Sequence, residues 1–183
     1  MQIPKLSAQL QADVIHAAPP FGAESIKIAR QMGSAATNFL LEQIQAQGDT
    51  AFLALEALRV ANPDAYAALP VRERASTYRS ALQTNIFYNS WGLPGYQLTD
   101  TSQALISLGE EAIPVFQPLL SDQRLAPLEG SQDATTSTAY GNRICDYAWV
   151  FIQEIRGQPY TYAENPSERD REIEKLQREL KED

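Results

Sequence analysis

Residues 105–120 read Leu-Ile-Ser-Leu-Gly-Glu-Glu-Ala-Ile-Pro-Val-Phe-Gln-Pro-Leu-Leu, and this stretch decides the fold. Residues 29–44 repeat its pattern: an apolar residue, another three positions later, a glycine, an alanine, two adjacent apolar residues and a last one four positions on. The offset is a constant 76 residues, as from Gly33 to Gly109. Glycine permits a left-handed turn between two helices, and alanine lets the second helix approach its partner closely. The repeat therefore predicts two similar pairs of amphipathic helices.

Apolar residues recur at helical spacing along most of the remaining chain. Together with the capping and stop residues, the spacing predicts helices over about 5–17, 24–32, 34–47, 50–60, 70–84, 99–108, 114–121, 137–156 and 166–183. Ser167 and Asp170 have the spacing of an N-terminal cap for the last of these helices. Alternation with a period of two is hard to find. The sequence therefore predicts an all-α chain that forms one domain over residues 1–183.

The charge balance excludes some partners and sites. The chain has 15 Lys and Arg against 23 Asp and Glu, a net charge of −8, which disfavours nucleic acid and acidic membrane surfaces. One cysteine and one histidine rule out an intrachain disulfide and a histidine-based metal cluster. Neither a signal-peptide h-region nor an 18-residue apolar run is visible. We therefore expect a cytoplasmic protein without a membrane span, with an exported form that has lost its leader as the alternative.

Residues 104–122 resemble the bacterial HEAT-like repeat, whose helix pair has the pattern A-L-x-x-L-G-x-x-A-x-P-x-L-x-x-L-L-x-D. Residues 143–157 are similar to the R-x-x-D-x-A-x-x-x-L-x-x-I-x-G helix that often ends such repeats, and residues 166–176 are similar to the segment after that helix in some of these proteins. The resemblance implies a short right-handed α–α superhelix of HEAT-like helix pairs, closed by the charged capping helix 166–183. It is specific for fold and weak for function, because this family mostly supplies binding surfaces.

Residues 85–98 depart from the repeat pattern. The segment contains four aromatic residues: Phe87, Tyr88, Trp91 and Tyr96. A flexible linker would be poor in aromatic residues, so we expect a structured loop. Trp and Tyr are favoured anchors at protein interfaces, which makes the loop either a binding surface or a cover folded back over the core. Residues 122–136 are predicted to form a second, exposed loop.

Four further residues form a second candidate site. Arg143 and Asp146 lie three positions apart and share one helix face, and Tyr140 and Asn142 just before them are placed on the same surface as the aromatic loop. In HEAT-like proteins such an Arg–Asp pair commonly braces neighbouring repeats, with ligand contact as the alternative. Cys145 would need a lowered pKa to act as a nucleophile or bilin-type thiol, and otherwise it is a buried apolar side chain.

No GxGxxG, Walker A, HExxH, EF-hand or GxSxG motif is present, so the sequence predicts no catalytic residue, metal ligand or cofactor. We predict a protein–protein interaction or scaffold module that binds another protein through its helical-repeat surface and its aromatic loop. One alternative is a chromophore- or small-ligand-handling enzyme of the bilin-lyase type, which the HEAT-like resemblance suggests. The other is a structural oligomerising element, and monomer and homo-oligomer both stay open.

Overall fold

The computed structural model describes residues 2–84, 86–126 and 139–182, and this part of the chain is mostly helical with one small hairpin. The prediction of the all-α class is confirmed. The backbone divides into two compact units, Met1–Ser90 and Trp91–Asp183. The sequence predicts one domain, whereas the boundary between the units falls inside the aromatic segment. Among the described residues, no helix combines the length and apolar character that crossing a bilayer requires.

The described part of the first unit is built around one buried helix. Its helices are α1 (Gln2–Ile15), α2 (Glu24–Met32), α3 (Thr37–Gln45), α4 (Ala51–Ala61), α5 (Pro63–Ala68) and α6 (Val71–Thr84). The helices α2, α3, α5 and α6 all pack against α4, and residues 51–58 of α4 are buried without exception. A helix that is apolar on nearly every side belongs in the interior of a domain.

A buried carboxylate interrupts this apolar helix and finds its partners within the same unit. Glu56 is 1% exposed, and its Oε1 accepts a 2.6 Å hydrogen bond from the hydroxyl of Tyr78. Arg59 donates to both Glu56 oxygens, at 3.2 Å and 2.7 Å. Burial and the nearby Glu56 charge raise the pKa of Tyr78 well above its ordinary value. A buried charge is tolerated when it is paired and hydrogen-bonded, as this one is.

The two glycines of the repeat adopt a positive φ, although their ψ angles of −137° and −169° lie outside the left-handed region that the turn prediction named. Gly33 has φ 57° and Gly109 has φ 76°, and each stands at the start of a short 3₁₀ turn. Ala36 and Ala112, which end those turns, are fully buried. The two copies of the repeat therefore share a local conformation as well as a sequence pattern.

The described part of the second unit is arranged around its own central helix. Its elements are β1 (Gly92–Leu93), β2 (Gln97–Leu98), α7 (Asp100–Ile106), α8 (Ile113–Phe116), α9 (Ile144–Arg156) and α10 (Pro166–Glu182). The two strands form an antiparallel hairpin, with Gly92 opposite Leu98. The helices α7, α8 and α10 pack against α9, in which residues 144–152 are all buried.

Two predicted helices of this unit are shorter than expected. The helix predicted over 114–121 is α-helical only to Phe116 and continues as the 3₁₀ turn Gln117–Ser121, because Pro118 has no N–H to donate to the carbonyl of Pro114. The helix predicted over 137–156 begins at Ile144. Gly141 has φ 56°, and Arg143 is extended and forms an isolated antiparallel bridge with Leu125. Neither conformation is helical, so the helix cannot begin before Ile144.

The predicted start of the last helix is nearly right, but the predicted cap is wrong. Asn165 caps α10, because its Oδ1 accepts a 2.9 Å hydrogen bond from the N–H of Ser167. Pro166 takes the first helical position, where a missing N–H costs nothing. Asp170 instead forms a 2.8 Å ion pair with Arg143. Of the loop predicted over 122–136, residues 127–136 lie outside the described part of the chain, as do Ser137 and Thr138.

Candidate binding cleft

Two of the four predicted aromatic anchors lie inside the protein. Phe87 is 3% exposed, and its ring centroid lies 4.8 Å from that of Phe52 within the first unit. Trp91 is fully buried in the second unit, where its ring centroid lies 6.0 Å from that of Phe151. Ser102 Oγ donates a 2.7 Å hydrogen bond to the carbonyl of Trp91. These side chains serve the cores of their units, so neither offers a surface to a partner.

The other two predicted anchors differ in position. Tyr96 lies at the tip of the β1–β2 hairpin and is 85% exposed, so its ring is available to a partner. The side chain of Tyr88 lies outside the described part of the structure. Tyr147 donates a 2.9 Å hydrogen bond to the carbonyl of Gly92, which ties the hairpin to α9.

The fold brings together the residues of the second candidate site, which the sequence analysis placed around Arg143 and Asp146. Arg143 donates to both oxygens of Asp146, at 3.1 Å and 2.9 Å, and the main-chain N–H of Arg143 donates to the same carboxylate at 2.8 Å. The two residues are 7% and 0% exposed. Hydrogen bonding to Asp146 raises the pKa of Arg143 above its ordinary value. This pair is therefore a structural element of the core.

The partner that the sequence analysis missed is Arg169, which is fully buried. Its Nη1 donates to the carbonyls of Ala163 and Glu164, both at 2.9 Å, and its Nη2 donates to those of Tyr140 and Gly141, at 2.7 Å and 3.2 Å. One guanidinium therefore holds two separate chain segments. Arg169 lies in the stretch 168–175, in which every residue except Ile173 is charged, and nothing in the sequence distinguishes the one buried cation from its exposed neighbours.

Tyr162 connects this guanidinium to the predicted residues Asn142 and Tyr140. Its hydroxyl donates a 2.6 Å hydrogen bond to Asn142 Oδ1, and its ring stacks on that of Tyr140 with centroids 6.3 Å apart. The Arg169 guanidinium lies over the Tyr162 ring, 5.0 Å from its centroid, within range of a cation–π interaction. Burial and the nearby Asp146 carboxylate raise the pKa of Tyr162.

Beside this buried network, the second unit has a solvent-open cleft of about 850 Å³. Its floor includes Trp149 and Gln153 of α9, one wall is the segment 158–163, and the opposite wall is the charged face of α10. The volume lies in the range of roughly 300–1,000 Å³ that ligand sites occupy. A cavity in the first unit, between the start of α4 and α6, has about 110 Å³ and is small by comparison.

Three residues that line the cleft each have a buried side-chain atom without a hydrogen-bond partner among the described residues. One is Nε of Arg169, and the other two belong to α9: the indole Nε1 of Trp149, a residue that is 1% exposed, and the side-chain oxygen Oε1 of Gln153. Indole N–H can only donate, and an amide oxygen can only accept. Because the two residues lie four positions apart on α9, they point to the same side of the helix. Both atoms are buried, so one donor and one acceptor stay without a partner beneath the surface of the cleft.

The wall 158–163 is free of turns and bends, and is held at both ends. The N–H of Gln158 donates to the carbonyl of Gln153 at 3.0 Å, and the carbonyl of Ala163 accepts from Arg169. Between these ties, the main-chain N–H groups of Tyr160 and Thr161 donate to no carbonyl or side chain in the described structure. The main-chain N–H groups in the middle of this wall are therefore not paired with the rest of the unit.

The Cys145 thiol, the remaining candidate, is buried at 1% exposure. Burial, reinforced by the charge of Asp146, raises its pKa to about 12. A thiol in that state is not ionised at neutral pH, and the thiolate is the reactive form. The interpretation as a small core side chain is therefore favoured. In addition, the described residues contain no group of three or more His, Cys, Asp or Glu that could hold a metal ion.

No protein-family model matches the chain, and no curated protein or solved structure shows significant similarity to it.

Proposed function

We propose that the chain is a protein-binding module assembled from HEAT-like helix pairs, and that its partner occupies the cleft beside α9 and α10. The observation that carries this proposal is the composition of the cleft. Tyr160 and Arg156 line it and are only half-buried, and Tyr and Arg are among the residue types that dominate the binding energy of protein interfaces. Tyr96, on the hairpin of the same unit, is a further exposed aromatic residue that a partner could contact.

The structure favours a protein-binding function over the bilin-lyase type of function that the sequence left open. A bilin-lyase type of function would gain support from an open pocket beside Arg143 and Asp146, and both of these side chains are buried in an ion-paired cluster. The function proposed from the sequence relied on the aromatic loop, of which Trp91 and Phe87 are buried. The proposal therefore keeps the protein partner and moves its site from the loop to the cleft.

Site-specific photocrosslinking tests the proposal. A photoreactive phenylalanine analogue is placed at Gln158, an exposed residue on the rim of the cleft, and separately at Gln103, an exposed residue of α7 in the same unit that does not line it. Both variants are irradiated in lysate of the organism that encodes the chain. We expect a discrete protein adduct from position 158 that is absent from position 103 and is lost when Tyr160→Ala is added. Adducts that do not depend on the position, or none at 158, would refute the proposal.

A further inference from the structure

We infer that the first unit carries a second docking surface, which binds an acidic polypeptide segment of a partner through one large apolar side chain and several carboxylates. Because this surface belongs to the other compact unit, it is independent of the cleft and of the function proposed for it. It consists of a row of polar side chains along α6 and of the cavity between α6 and the start of α4.

The row on α6 is made of Arg72, Ser76, Arg79 and Gln83. These residues recur at intervals of four, three and four positions, so they share one face of the helix. All four are at least partly exposed, and each carries hydrogen-bond donors. Glu73, the only acidic residue of α6, is turned about 100° away from Arg72. The row is therefore positively charged, in a protein whose net charge is −8.

The two arginines of this row are not neutralised by their own chain. Neither Arg72 nor Arg79 forms an ion pair with another described residue, and Nε of Arg79 has no hydrogen-bond acceptor there. On α10, by contrast, acidic residues separate the basic ones, as Glu172 does between Arg171 and Lys175. The guanidinium group is suited to bidentate pairing with carboxylates. Charge complementarity therefore favours an acidic occupant for the α6 row.

The cavity of about 110 Å³ adjoins the row, because Ser76 belongs to both. Its other lining residues include Thr77 and Ala81 of α6 and Phe52 of α4. A cavity of roughly 150 Å³ holds one benzene ring, so this volume suits a single side chain and lies below the range of drug-sized ligands. Ile86, which also lines the cavity, is a large apolar side chain that stays 44% exposed. An apolar anchor of a partner would cover it, as anchors do at protein interfaces.

The charge at the cavity gives the occupant a direction. Among the residues that line it, Asp49 alone is ionisable, and it belongs to the wall 47–49 and not to α6. Asp49 repels carboxylates while the arginine row attracts them, so the acidic residues of the occupant lie along α6 and the anchor enters the cavity from that side. A nucleic acid carries a phosphate at every nucleotide, and the net charge of −8 disfavours it. A polypeptide can place one apolar side chain next to several carboxylates.

Synthetic peptides test the inference on the full chain. The probe is acetyl-Phe-Gly-Glu-Glu-Glu-Glu-amide, and two controls replace its Phe by Ala or all of its Glu by Lys. Binding at low salt is measured from peak shifts in proton–nitrogen correlation spectra of the chain. We expect a dissociation constant of roughly 1 mM or tighter for the probe and affinities about tenfold lower for both controls. Equal binding of either control, or peak shifts that lie outside α6 and residues 47–52, would overturn the inference.

Two double variants with the same loss of charge test the role of the row. Arg72→Gln with Arg79→Gln removes its cations, and Lys5→Gln with Arg30→Gln removes two exposed cations elsewhere in the same unit. We expect the first to weaken binding of the probe about fivefold and the second to change it less than twofold. About 0.5 M salt should remove most of this difference, because it screens exposed charges. Equal effects of the two double variants would refute the role of the row.

The place of the anchor is tested at Ser80, an exposed residue that lines the cavity. The larger side chain of Ser80→Leu occupies the cavity without disturbing the core. We expect this variant to bind the Phe and Ala forms of the acidic peptide equally well. A preference for Phe that persists in Ser80→Leu would show that the anchor lies elsewhere.

Two further outcomes would replace the occupant. If an oligothymidine of about ten nucleotides binds more tightly than the probe, the α6 row is a nucleic-acid surface and the inference of a polypeptide is overturned. If the chain self-associates in light scattering, and Arg72→Gln with Arg79→Gln abolishes that association, the occupant is a second copy and the inference of a separate partner is overturned.

Discussion

Arg169 Nε lies 3.1 Å from Asp146 Oδ1, and both residues are fully excluded from solvent. The N–H of this nitrogen is not aligned for a hydrogen bond, so the contact is an ion pair, while the other guanidinium nitrogens donate to main-chain carbonyls. The pair joins α9 to α10, and Arg169 is also one of the residues that line the cleft. Asp146 also binds Arg143, so one buried carboxylate is shared by two cations. The position of the cleft wall therefore depends on this cluster.

The Arg169→Met variant removes the cation and leaves the carbonyls of residues 140, 141, 163 and 164 without the hydrogen bonds that Arg169 donates. Breaking a buried ion pair by removal of one partner costs about 3–5 kcal/mol, because the other group stays buried and incompletely paired. We expect a loss of that size in the free energy of unfolding, measured by urea denaturation. Arg171→Met is the matched control, since Arg171 is exposed two positions away on the same helix. It should change the free energy by no more than about 0.5 kcal/mol. Equal effects of the two would contradict the structural role assigned to Arg169.

The hairpin supports the same wall through a glycine. Gly95 has φ 75°, and a Cβ atom built on it would overlap the side chain of Tyr162. Gly109 has nearly the same φ, 76°, and a Cβ there would meet nothing within 4 Å. The two glycines thus share a positive φ and differ in what surrounds them.

Replacing each of these glycines by alanine separates the two effects. Gly109→Ala should cost about 1–3 kcal/mol, because a residue with a Cβ rarely adopts a positive φ together with a ψ of −169°. Gly95→Ala should cost about 1–3 kcal/mol more, because Tyr162 must move to make room. Thermal or urea unfolding measures the difference. We also expect Gly95→Ala to disturb the segment 158–163 and so to weaken capture of the partner at position 158, which Gly109→Ala should leave unchanged. A Gly95→Ala variant as stable as Gly109→Ala would contradict the close approach to Tyr162.

The sequence could predict the helices of this protein but not its cleft. Periodicity located the buried faces of α4 and α9, because a run of apolar side chains is a local property of the chain. Positive φ at Gly33 and Gly109 was predictable from the repeat. The burial of Arg169 could not be read in the same way, since it depends on carbonyls that lie up to 29 residues away along the chain. The unpaired state of Trp149 Nε1 is likewise a property of the folded chain, and a tryptophan in an apolar helix looks like any core residue.

High pH should destabilise the fold. The pKa of Cys145 is raised to about 12 and that of Tyr78 is raised well above its ordinary value, so both groups stay protonated in the folded chain at pH values where they ionise in the unfolded chain. The folded state then binds more protons than the unfolded state, so the free energy of unfolding falls as pH rises. The window opens near the unfolded pKa of the thiol, about 8.5, and each such group contributes a slope of about 1.4 kcal/mol per pH unit.

Urea unfolding at a series of pH values from about 7 to about 11.5 measures this slope. In Cys145→Ala we expect the free energy of unfolding to fall less steeply with pH, by the slope that corresponds to about one proton. This difference in slope is expected even if the variant is less stable than the parent chain at neutral pH. The comparison therefore uses slopes and not absolute values. In native buffer at about pH 8 we also expect the thiol to react slowly with a disulfide reagent and quickly once urea unfolds the chain. Identical slopes for the two proteins, or rapid labelling of the native thiol, would show that the buried thiol has been assigned incorrectly.

The aromatic segment gives the last prediction, because its two best-placed rings lie in opposite environments. Trp91→Ala empties a fully buried position and should cost about 3–5 kcal/mol. Tyr96→Ala changes a ring that is 85% exposed and should cost no more than about 0.5 kcal/mol. If the segment were an interface loop with all of its rings outward, the two variants would be equally stable and would differ only in binding. Because the buried ring supports the core beneath α9, a Trp91→Ala variant that no longer captures the partner would indicate misfolding. A Tyr96→Ala variant that is as stable as the parent chain but no longer captures the partner would show that the binding surface extends from the cleft to the hairpin tip.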